Sequence, residues 1–313
     1  MSEFKVRIAT RKSALAVAQT TLSADALGVP YELVPMSTEG DRRLDKSLAS
    51  FGGKGVFIKE LEVALLEGRA DVAVHSLKDM PAEVLPDFRL AAVMHREDPR
   101  DAFIARGGAD GVRFMDLPAG SRIGTGSIRR VVQLKALRPD LEYVPIRGNI
   151  QTRLSKLEEL DGVVLAAAGL KRMGLADRVT EYFDTDKVLP ASGQGILALE
   201  TLASIQEPQR GDKIQEILSR VNHVPTYCIA VAEMAFLKAL NAGCQFPVAS
   251  FAELEAEALK IRGIYWDENS KRLLKAEHRC ASGLGASAVD FAEAVRMARE
   301  AGIALAEKIR EQL

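Results

Sequence analysis

Short apolar runs alternate with longer amphipathic segments through the first two thirds of the chain. The apolar runs that predict β-strands are 5–9, 31–36, 70–75, 89–94, 102–105, 121–124, 143–146 and 162–167. The segments with helical spacing are 14–27, 56–67, 128–137 and 150–160. Strands that alternate with helices are typical of α/β domains with parallel sheets.

The pattern changes after residue 212. Segment 227–240 predicts a helix, segments 258–266 and 272–278 alternate like paired strands, and 287–313 predicts a long closing helix. We therefore expect three domains in an α/β protein. Domain 1 comprises residues 1–97 with 196–216, domain 2 residues 98–195, and domain 3, of α+β type, residues 222–313.

Composition excludes several classes of protein. The net charge of −1 over 313 residues argues against a general binder of polyanions. Three widely spaced cysteines and four scattered histidines give neither a disulfide framework nor a metal-ligand pattern, so we expect no metal. The start of the sequence has no apolar signal segment and no later run is long enough to span a membrane, so we expect a cytoplasmic location.

Residues 70–81 form the most informative stretch. An apolar strand ends in the polar cluster His75-Ser76-Leu77-Lys78-Asp79, and Pro81 stops it. Ligands of open α/β sheets bind beyond the carboxyl ends of the strands, which makes Asp79 a candidate catalytic carboxylate. The simpler alternative is that Asp79 and Pro81 only form a turn.

Cations recur where helices begin, although the positive end of the helix dipole disfavours them by ~0.3–1 kcal/mol each. The residues concerned are Arg11, Lys12, Lys54, Arg129, Arg130, Arg147, Arg153, Lys171 and Arg172. Because strand-to-helix turns gather at one edge of a parallel sheet, this repetition predicts a cleft for a ligand with several anionic groups. Ordinary solvated charges remain the alternative for each cation taken alone. The turn 124–127 lacks the spacing and lysine of a phosphate loop, so carboxylates fit these cations at least as well as phosphates.

Long motifs in this order resemble the porphobilinogen deaminase family over nearly the whole chain. The matching segments are Arg7-Ile8-Ala9-Thr10-Arg11, Gly52-Gly53-Lys54-Gly55, Ala73-Val74-His75-Ser76-Leu77-Lys78-Asp79, Arg96-Glu97-Asp98-Pro99-Arg100-Asp101-Ala102-Phe103, Ser127-Ile128-Arg129-Arg130, Arg147-Gly148-Asn149, Thr152-Arg153-Leu154-Ser155-Lys156-Leu157, Ala168-Gly169-Leu170-Lys171-Arg172, Gly193-Gln194-Gly195 and Gly243-Cys244-Gln245-Phe246-Pro247.

The resemblance implies two domains like the halves of a type II periplasmic binding protein, a cleft between them, and a third domain that carries a cysteine. It implies a dipyrromethane cofactor joined to Cys244 by a thioether, whereas spacing alone favours a buried structural cysteine. The implied reaction joins four porphobilinogen molecules to this primer through an azafulvene formed by loss of ammonia. Hydrolysis then releases hydroxymethylbilane, in tetrapyrrole and haem biosynthesis.

The resemblance also implies roles for individual residues. Asp79 is the catalytic residue, which bonds pyrrole N–H groups, stabilises the cationic intermediate and assists proton transfer. The residues expected to bind the cofactor are Cys244, Lys78, Thr125, Ser127, Arg129, Arg130, Ser13 and Ser76. Those expected to bind substrate are Arg11, Arg147, Arg153, Arg172, Gln194, Lys54 and Phe57.

Three residues depart from the usual family pattern: Gly126 for serine, Ala242 for glycine, and Glu39 for a basic residue. None of them affects Asp79, Cys244 or the set of arginines named above, so we expect activity. The implied protein is a monomeric transferase that binds porphobilinogen and neither nucleic acid nor membrane. A non-enzymatic binding protein for a small organic polyanion is the alternative, although Asp79 and Cys244 would have no purpose there.

Overall fold

The computed structural model of the chain describes residues 4–37, 58–242, 246–256, 258–282 and 290–313. The strands are β1 (Val6–Arg11), β2 (Tyr31–Met36), β3 (Val72–Ser76), β4 (Phe88–Val93), β5 (Asp101–Ala105), β6 (Arg122–Gly124), β7 (Glu142–Val144), β8 (Gly162–Ala166), β9 (Glu181–Tyr182), β10 (Leu197–Leu202), β11 (Val248–Glu255), β12 (Ala258–Asp267) and β13 (Arg272–Ala281). The helices are α1 (Ala14–Ala26), α2 (Lys59–Leu66), α3 (Ile128–Leu137), α4 (Ile150–Ser155), α5 (Ala167–Arg172), α6 (Pro208–Val221), α7 (Val224–Ala239) and α8 (Phe291–Arg310).

The first sheet has the strand order β2-β1-β3-β10-β4. Strand β1 runs parallel to β2 and β3, whereas β10 runs antiparallel to both of its neighbours, β3 and β4. Val6 and Val72 of this sheet share a buried core with Ile217 of α6. Helix α6 therefore packs on the first sheet, although it follows the whole of the second sheet in sequence.

The second sheet repeats this arrangement in the order β7-β6-β8-β5-β9. Strand β6 is parallel to β7 and β8, and β5 is antiparallel to β8 and β9. In each sheet the antiparallel strand follows a segment that crosses over from the other sheet. We call β5 and β10 the crossing strands, and the two sheets with their helices the first and second halves.

A three-stranded antiparallel sheet, β11-β12-β13, forms the third unit. Helices α7 and α8 cover it, and Phe236, Ile261 and Leu305 lie in its buried core. The predicted fold class, two α/β units and a C-terminal α+β unit, is confirmed. The predicted parallel sheets require a correction, because each contains one antiparallel crossing strand.

Most predicted elements lie within a few residues of their positions in the structure. Gly28 and Gly68 both have φ of +66° just after helices α1 and α2, the left-handed conformation that glycine adopts readily at helix ends. Sequence reasoning missed strands β9, β10 and β11 and helices α5 and α6. Segment 37–55 is rich in charge and glycine, which predicts a mobile loop, and it lies almost wholly outside the described residues.

Candidate active site

The two sheets present their functional residues at matching edges. The four parallel strands of the first sheet end at one edge, where Leu197, the first residue of β10, pairs with Ser76, the last residue of β3. In the second sheet Asp101, the first residue of β5, pairs in the same way with Ala166 at the end of β8. We call these the cleft edges, and the space between them the cleft.

The two cleft edges approach each other. A side-chain carbon added at Gly169 of α5 would lie 3.8 Å from Leu15 Cδ2 of α1. The segments that follow β1 and β8 therefore lie next to each other at the cleft.

Asp79 ends a one-turn 3₁₀ helix, Leu77–Asp79, directly after β3. The buried Leu77 anchors this turn, and its N–H donates to the carbonyl of Ile196 at 3.0 Å. The Asp79 side chain is exposed, and within the described part of the chain its carboxylate accepts no hydrogen bond. A fixed backbone thus presents a carboxylate whose oxygens are open to a ligand.

Lys78 lies beside Asp79 but points towards the second half. Its Nζ lies 3.5 Å from Oε1 of Gln194. Burial lowers the pKa of Lys78 to about 8, with the Asp79 charge opposing this shift and the Arg130 charge adding to it. Lys78 therefore sits within electrostatic range of both halves.

The two predicted serines of the first half have partners within the protein. Ser13 caps helix α1, as its sequence position predicts, and its Oγ accepts a hydrogen bond from the Ala16 N–H at 3.3 Å. The Ser76 hydroxyl contacts the side chain of the buried Gln19 at 3.1 Å. Arg11 ends β1 at the same edge and is partly buried. The cofactor-binding roles of both serines stay predictions.

Arg129 and Arg130 occupy the first turn of α3 and are both buried. Nη2 of Arg129 lies 2.8 Å from Oδ2 of Asp101, and Nη2 of Arg130 donates to Oδ1 at 2.8 Å. Burial raises the pKa of Asp101, but the charges of the two arginines outweigh it and hold this pKa below its ordinary value. The three side chains form a buried cluster with one net positive charge.

Gln194 joins this cluster to the first half. It is buried, and its Nε2 donates to Asp101 Oδ1 at 2.9 Å and to the Pro99 carbonyl at 2.7 Å. Its Oε1 faces Lys78. A continuous polar path therefore runs from Lys78 through Gln194 and Asp101 to the arginine pair.

Arg153 lies on the opposite side of the cleft from Asp79. Its Nε donates to the Gly148 carbonyl at 2.8 Å, which fixes the guanidinium next to the start of α4. Burial lowers the pKa of Arg153, the charges of Arg130 and Arg147 add to the shift, and the Asp79 charge opposes it. Asp79 and the second-half arginines therefore share one electrostatic environment.

Arg172 is partly buried and donates from Nη2 to the Gly195 carbonyl at 2.6 Å. Burial lowers the pKa of Arg172 to about 10, against the opposing charge of Glu97. Its neighbour Lys171 pairs with Glu97 and Asp98 at 3.1 and 3.2 Å. Both cations lie in the last turn of α5. The expectation that they lie where a helix begins is therefore wrong for this pair.

The turn before α3 is held by backbone contacts. The N–H of Thr125 donates to the carbonyl of Val144 at 3.0 Å, and Thr125 Oγ1 accepts from the N–H of Ser127 at 3.4 Å. A Cβ added at Gly126 would lie 2.6 Å from the carbonyl oxygen of Ile146. The family's usual serine would bring its Cβ into this contact. Glycine at position 126 therefore allows the two backbone segments to approach closely in this chain.

Sequence reasoning missed Asp101 and the ion pair that holds the third unit to the cleft. Arg96 donates from Nη1 to Glu233 at 2.7 Å and from Nε to the Gln194 carbonyl at 2.9 Å. Glu233 is fully buried in α7 and also accepts the Gly193 N–H at 2.5 Å. The available signal was the dense run of charges at 95–101, which sequence reasoning used as a domain boundary and as a family motif but not as a source of site residues.

Cys244, Lys54, Phe57 and Glu39 lie outside the described residues. Ala242, two residues before Cys244, is buried and donates its N–H to the Leu237 carbonyl at 3.0 Å. The other two cysteines, Cys228 and Cys280, are free thiols, and burial raises the pKa of Cys228 to about 11.

The described donor set fits a ligand with several carboxylates. Within the described ranges, no acceptor lies in hydrogen-bond contact with the buried Nε of Arg130 or the buried Nε of Arg172. A buried donor without a partner is costly, and a bound carboxylate would satisfy it. No group of three or more metal-ligating side chains occurs among the described residues, and no described helix is long and apolar enough to cross a membrane.

Two family models match the chain. The first, "Porphobilinogen deaminase, dipyromethane cofactor binding domain", matches residues 6–210, and the second, "Porphobilinogen deaminase, C-terminal domain", matches residues 227–311. Together they cover both α/β halves and the third unit.

Curated relatives agree with these matches. The porphobilinogen deaminase of Syntrophus aciditrophicus is 47% identical over 281 residues, which cover 87% of this chain and 88% of the relative. The protein of the same name from Thermobifida fusca is 45% identical over 320 residues, covering 100% and 95%. Among solved structures, substrate-binding domain 2 of Lactococcus lactis GlnP covers 70% of this chain and 89% of its own at 10% identity, but its TM-score of 0.39 is too low to support any inference.

The chain belongs to the porphobilinogen deaminase family. The resemblance is thereby confirmed, and with it the expected class of activity, a transferase of tetrapyrrole biosynthesis with a dipyrromethane cofactor. The alternative of a non-enzymatic binding protein finds no support in these relatives.

Proposed function

We propose that the cleft between the two halves is the active site at which four porphobilinogen molecules are joined head to tail, with loss of ammonia, and released as hydroxymethylbilane. One observation carries the proposal: the open carboxylate of Asp79 lies in the same electrostatic environment as Arg130 and Arg153. Such a site combines one acceptor for N–H groups with several donors for carboxylates.

The arginines supply binding. Each pyrrole unit of the substrate bears an acetate and a propionate, and a guanidinium fork matches a carboxylate in shape and charge. The substrate-binding residues on this proposal are Arg11, Arg147, Arg153, Arg172, Gln194, Lys54 and Phe57. Arg172 keeps a buried donor, Nε, ready for such a carboxylate.

Asp79 supplies the chemistry. Its oxygens accept the N–H groups of the pyrrole rings, and its negative charge stabilises the positive charge that develops on the substrate as ammonia leaves. The same carboxylate can move a proton between ring positions, because it lies within a fixed turn and is open to the ligand. A neutral amide would provide the shape of this group without its charge.

The residues that would hold the dipyrromethane come from all three units. Cys244 would bind it covalently, and Lys78, Thr125, Ser127, Arg129, Arg130, Ser13 and Ser76 would contact its carboxylates. When bound, this group supplies the nucleophilic pyrrole carbon to which the first substrate unit is added. The arginine pair orients its carboxylates, and Lys78 adds a third cation from the first half.

The domain boundaries remain those expected from sequence: 1–97 with 196–216, 98–195, and 222–313. The crossings at 96–101 and 193–196 support these limits, since both connect the two sheets. We further propose that the protein is a cytoplasmic monomer, in keeping with a cleft built within one chain.

The test is the intact mass of the purified protein under denaturing conditions, with Cys244→Ser as the control. A mass excess of two linked pyrrole units in the wild type, absent from Cys244→Ser, supports the proposal. Release of hydroxymethylbilane from added porphobilinogen by the wild type completes the test. An unmodified mass that persists after incubation with porphobilinogen would contradict it.

A further inference from the structure

Asp101 stands apart from the other carboxylates at the cleft because it is completely buried. It is the first residue of crossing strand β5, and its backbone carbonyl accepts the Phe183 N–H at 2.9 Å. One carboxylate oxygen pairs with Arg130 and the other lies 2.8 Å from Arg129. Among the described residues, no other carboxylate lies within ion-pair distance of either guanidinium.

The arginine pair needs this counter-charge more than surface arginines do. Arg129 and Arg130 are adjacent in sequence, buried, and placed in the first turn of a ten-residue helix that has no acidic residue there. Burial, mutual repulsion and the helix dipole all oppose two cations in this position. Asp101 removes one of the two charges and leaves one for a ligand.

Asp101 also fixes the direction of each guanidinium. Arg129 donates from Nη1 to the Leu189 carbonyl at 2.5 Å, and Arg130 donates from Nη1 to the Val164 carbonyl at 3.0 Å. With Asp101 on Nη2, each planar group is held at two points. The Nε of Arg130 is left as a buried donor that has no acceptor among the residues the structure describes.

The hydrogen bond from Gln194 extends this arrangement to the other half. Gln194 precedes crossing strand β10, bonds Asp101 through Nε2 and faces Lys78 through Oε1. The two crossings are thus joined at the point where the cations of both halves converge.

We propose that Asp101 is a positioning residue that holds the guanidinium groups of Arg129 and Arg130 ready for the carboxylates of cofactor and substrate. This inference rests on the proposed function. Asp101 acts through the arginines and does not touch the ligand itself. Its loss therefore weakens cofactor assembly and substrate binding more than it slows the chemical step.

The chain offers a matched control. Asp71 is also buried and also pairs with two arginines, Arg7 at 2.7 Å and Arg210 at 2.6 Å. It precedes β3 and so lies at the opposite edge of the first sheet from the cleft. Asp71→Asn and Asp101→Asn remove the same kind of charge from the same kind of cluster, but only Asp101 adjoins the cleft.

The experiment compares wild type, Asp101→Asn and Asp71→Asn by intact mass, thermal unfolding and steady-state kinetics with porphobilinogen. We expect both variants to lower Tm. In Asp101→Asn the fraction carrying the cofactor falls about tenfold, and the loaded molecules show a KM about tenfold higher with a smaller change in kcat, as expected when the partner of a buried charge is removed. Asp71→Asn keeps its cofactor and its KM.

The proposal would be overturned if Asp101→Asn had the same cofactor-carrying fraction and the same KM as Asp71→Asn. If Asp101→Asn yields no folded protein, Asp101→Glu decides, because it keeps the charge and displaces both guanidiniums by the length of one methylene. A raised KM at near-normal Tm supports the positioning role, and an unchanged KM refutes it. A wild type without cofactor or turnover would instead refute the proposed function, so the two failures are distinguishable.

Discussion

The two halves share one strand order but present opposite chemistry at the cleft. In the first half, the turn after the third parallel strand ends in the exposed carboxylate of Asp79. In the second half, the turn after β6 leads to Arg129 and Arg130, buried in the first turn of α3. The fold thus fixes where functional side chains emerge, and the residues of each turn decide their charge and burial.

Burial explains why the two sides differ in their demands. An exposed carboxylate needs no partner, because water solvates it, and so it remains open to a ligand. Two buried guanidiniums need a counter-charge, which β5 supplies as Asp101. The anionic side of the cleft therefore needs no supporting counter-charge, whereas the cationic side requires a polar network that reaches both crossings.

Of the changes that test the contrast between the anionic and cationic sides of the cleft, loss of the Asp79 charge has the largest expected effect. Asp79→Asn should lower kcat by ~10²–10⁴, the usual contribution of a positioned acid–base group, while Tm and cofactor mass stay normal. Turnover of porphobilinogen and intact mass measure the two effects. Asp87→Asn, an exposed carboxylate on the same segment, should retain wild-type turnover. Near-normal rates in Asp79→Asn would refute its assigned role.

Removal of one arginine tests the cationic side. Arg129→Leu should impair cofactor assembly more than folding, because Arg130 still neutralises Asp101. The yield of protein with the cofactor mass should fall by ~10- to 100-fold, the effect of losing one charged hydrogen bond of ~1.5–3 kcal/mol. Arg122→Leu, an exposed arginine at the opposite edge of the same sheet, is the control. A normal yield of holo-protein from Arg129→Leu would contradict the prediction.

The lowered pKa of Lys78 predicts a dependence on pH. Its charge is half lost at a pH of about 8, so the fraction of cofactor-free protein that acquires the cofactor mass should fall several-fold as pH rises through this value. Lys78→Arg keeps the cation and should flatten the profile.

The lowered pKa of Lys78 also predicts that stability changes with pH, and here a rise in pH is favourable. Between about 8 and 10.5 the unfolded chain holds a proton that folded Lys78 has lost, so this group makes the free energy of unfolding rise with pH over that window. Chemical denaturation of wild type and Lys78→Met at several pH values measures it. If the difference in free energy of unfolding between the two proteins does not change with pH, the lowered pKa of Lys78 is refuted.

The smallest expected effect concerns the departure at Gly126. A serine there would place Cβ 2.6 Å from the Ile146 carbonyl oxygen, so the backbone must shift, at a cost of ~1–3 kcal/mol. Gly126→Ser should lower Tm by a few degrees. At temperatures below this Tm the variant should still turn over porphobilinogen. Ala119→Ser, an exposed change in the same half, should not alter Tm. A Tm equal to that of wild type would show that this turn is free to move.

Local pattern predicted the parallel strands and their helices because each bears its own signal. The runs at β2 and α3 have the bounds expected from sequence. Strand β10 was not predicted, and the direction of β5 could not be read in the same way, since an apolar strand looks alike in either direction. Only the path of the chain between the two sheets reverses them.

The candidate site was predictable where a residue type conflicted with its position. Arg129 and Arg130 stood out because helix starts disfavour cations, and the structure places them at the cleft. Asp101 gave no such signal, because an acidic residue before a strand is ordinary. Its importance comes from two arginines 28 and 29 positions later in the chain, a contact that no local pattern contains.

The crossing strand β10 also constrains the order in which the molecule can be completed. It lies between β3 and β4 in the first sheet, yet it is synthesised after every strand of the second sheet. During translation the second sheet has all its strands once residue 182 has emerged, whereas the first sheet must wait, with the edges of β3 and β4 unpaired, until residues 197–202 arrive. The sheet that begins the chain is thus the later of the two to be completed.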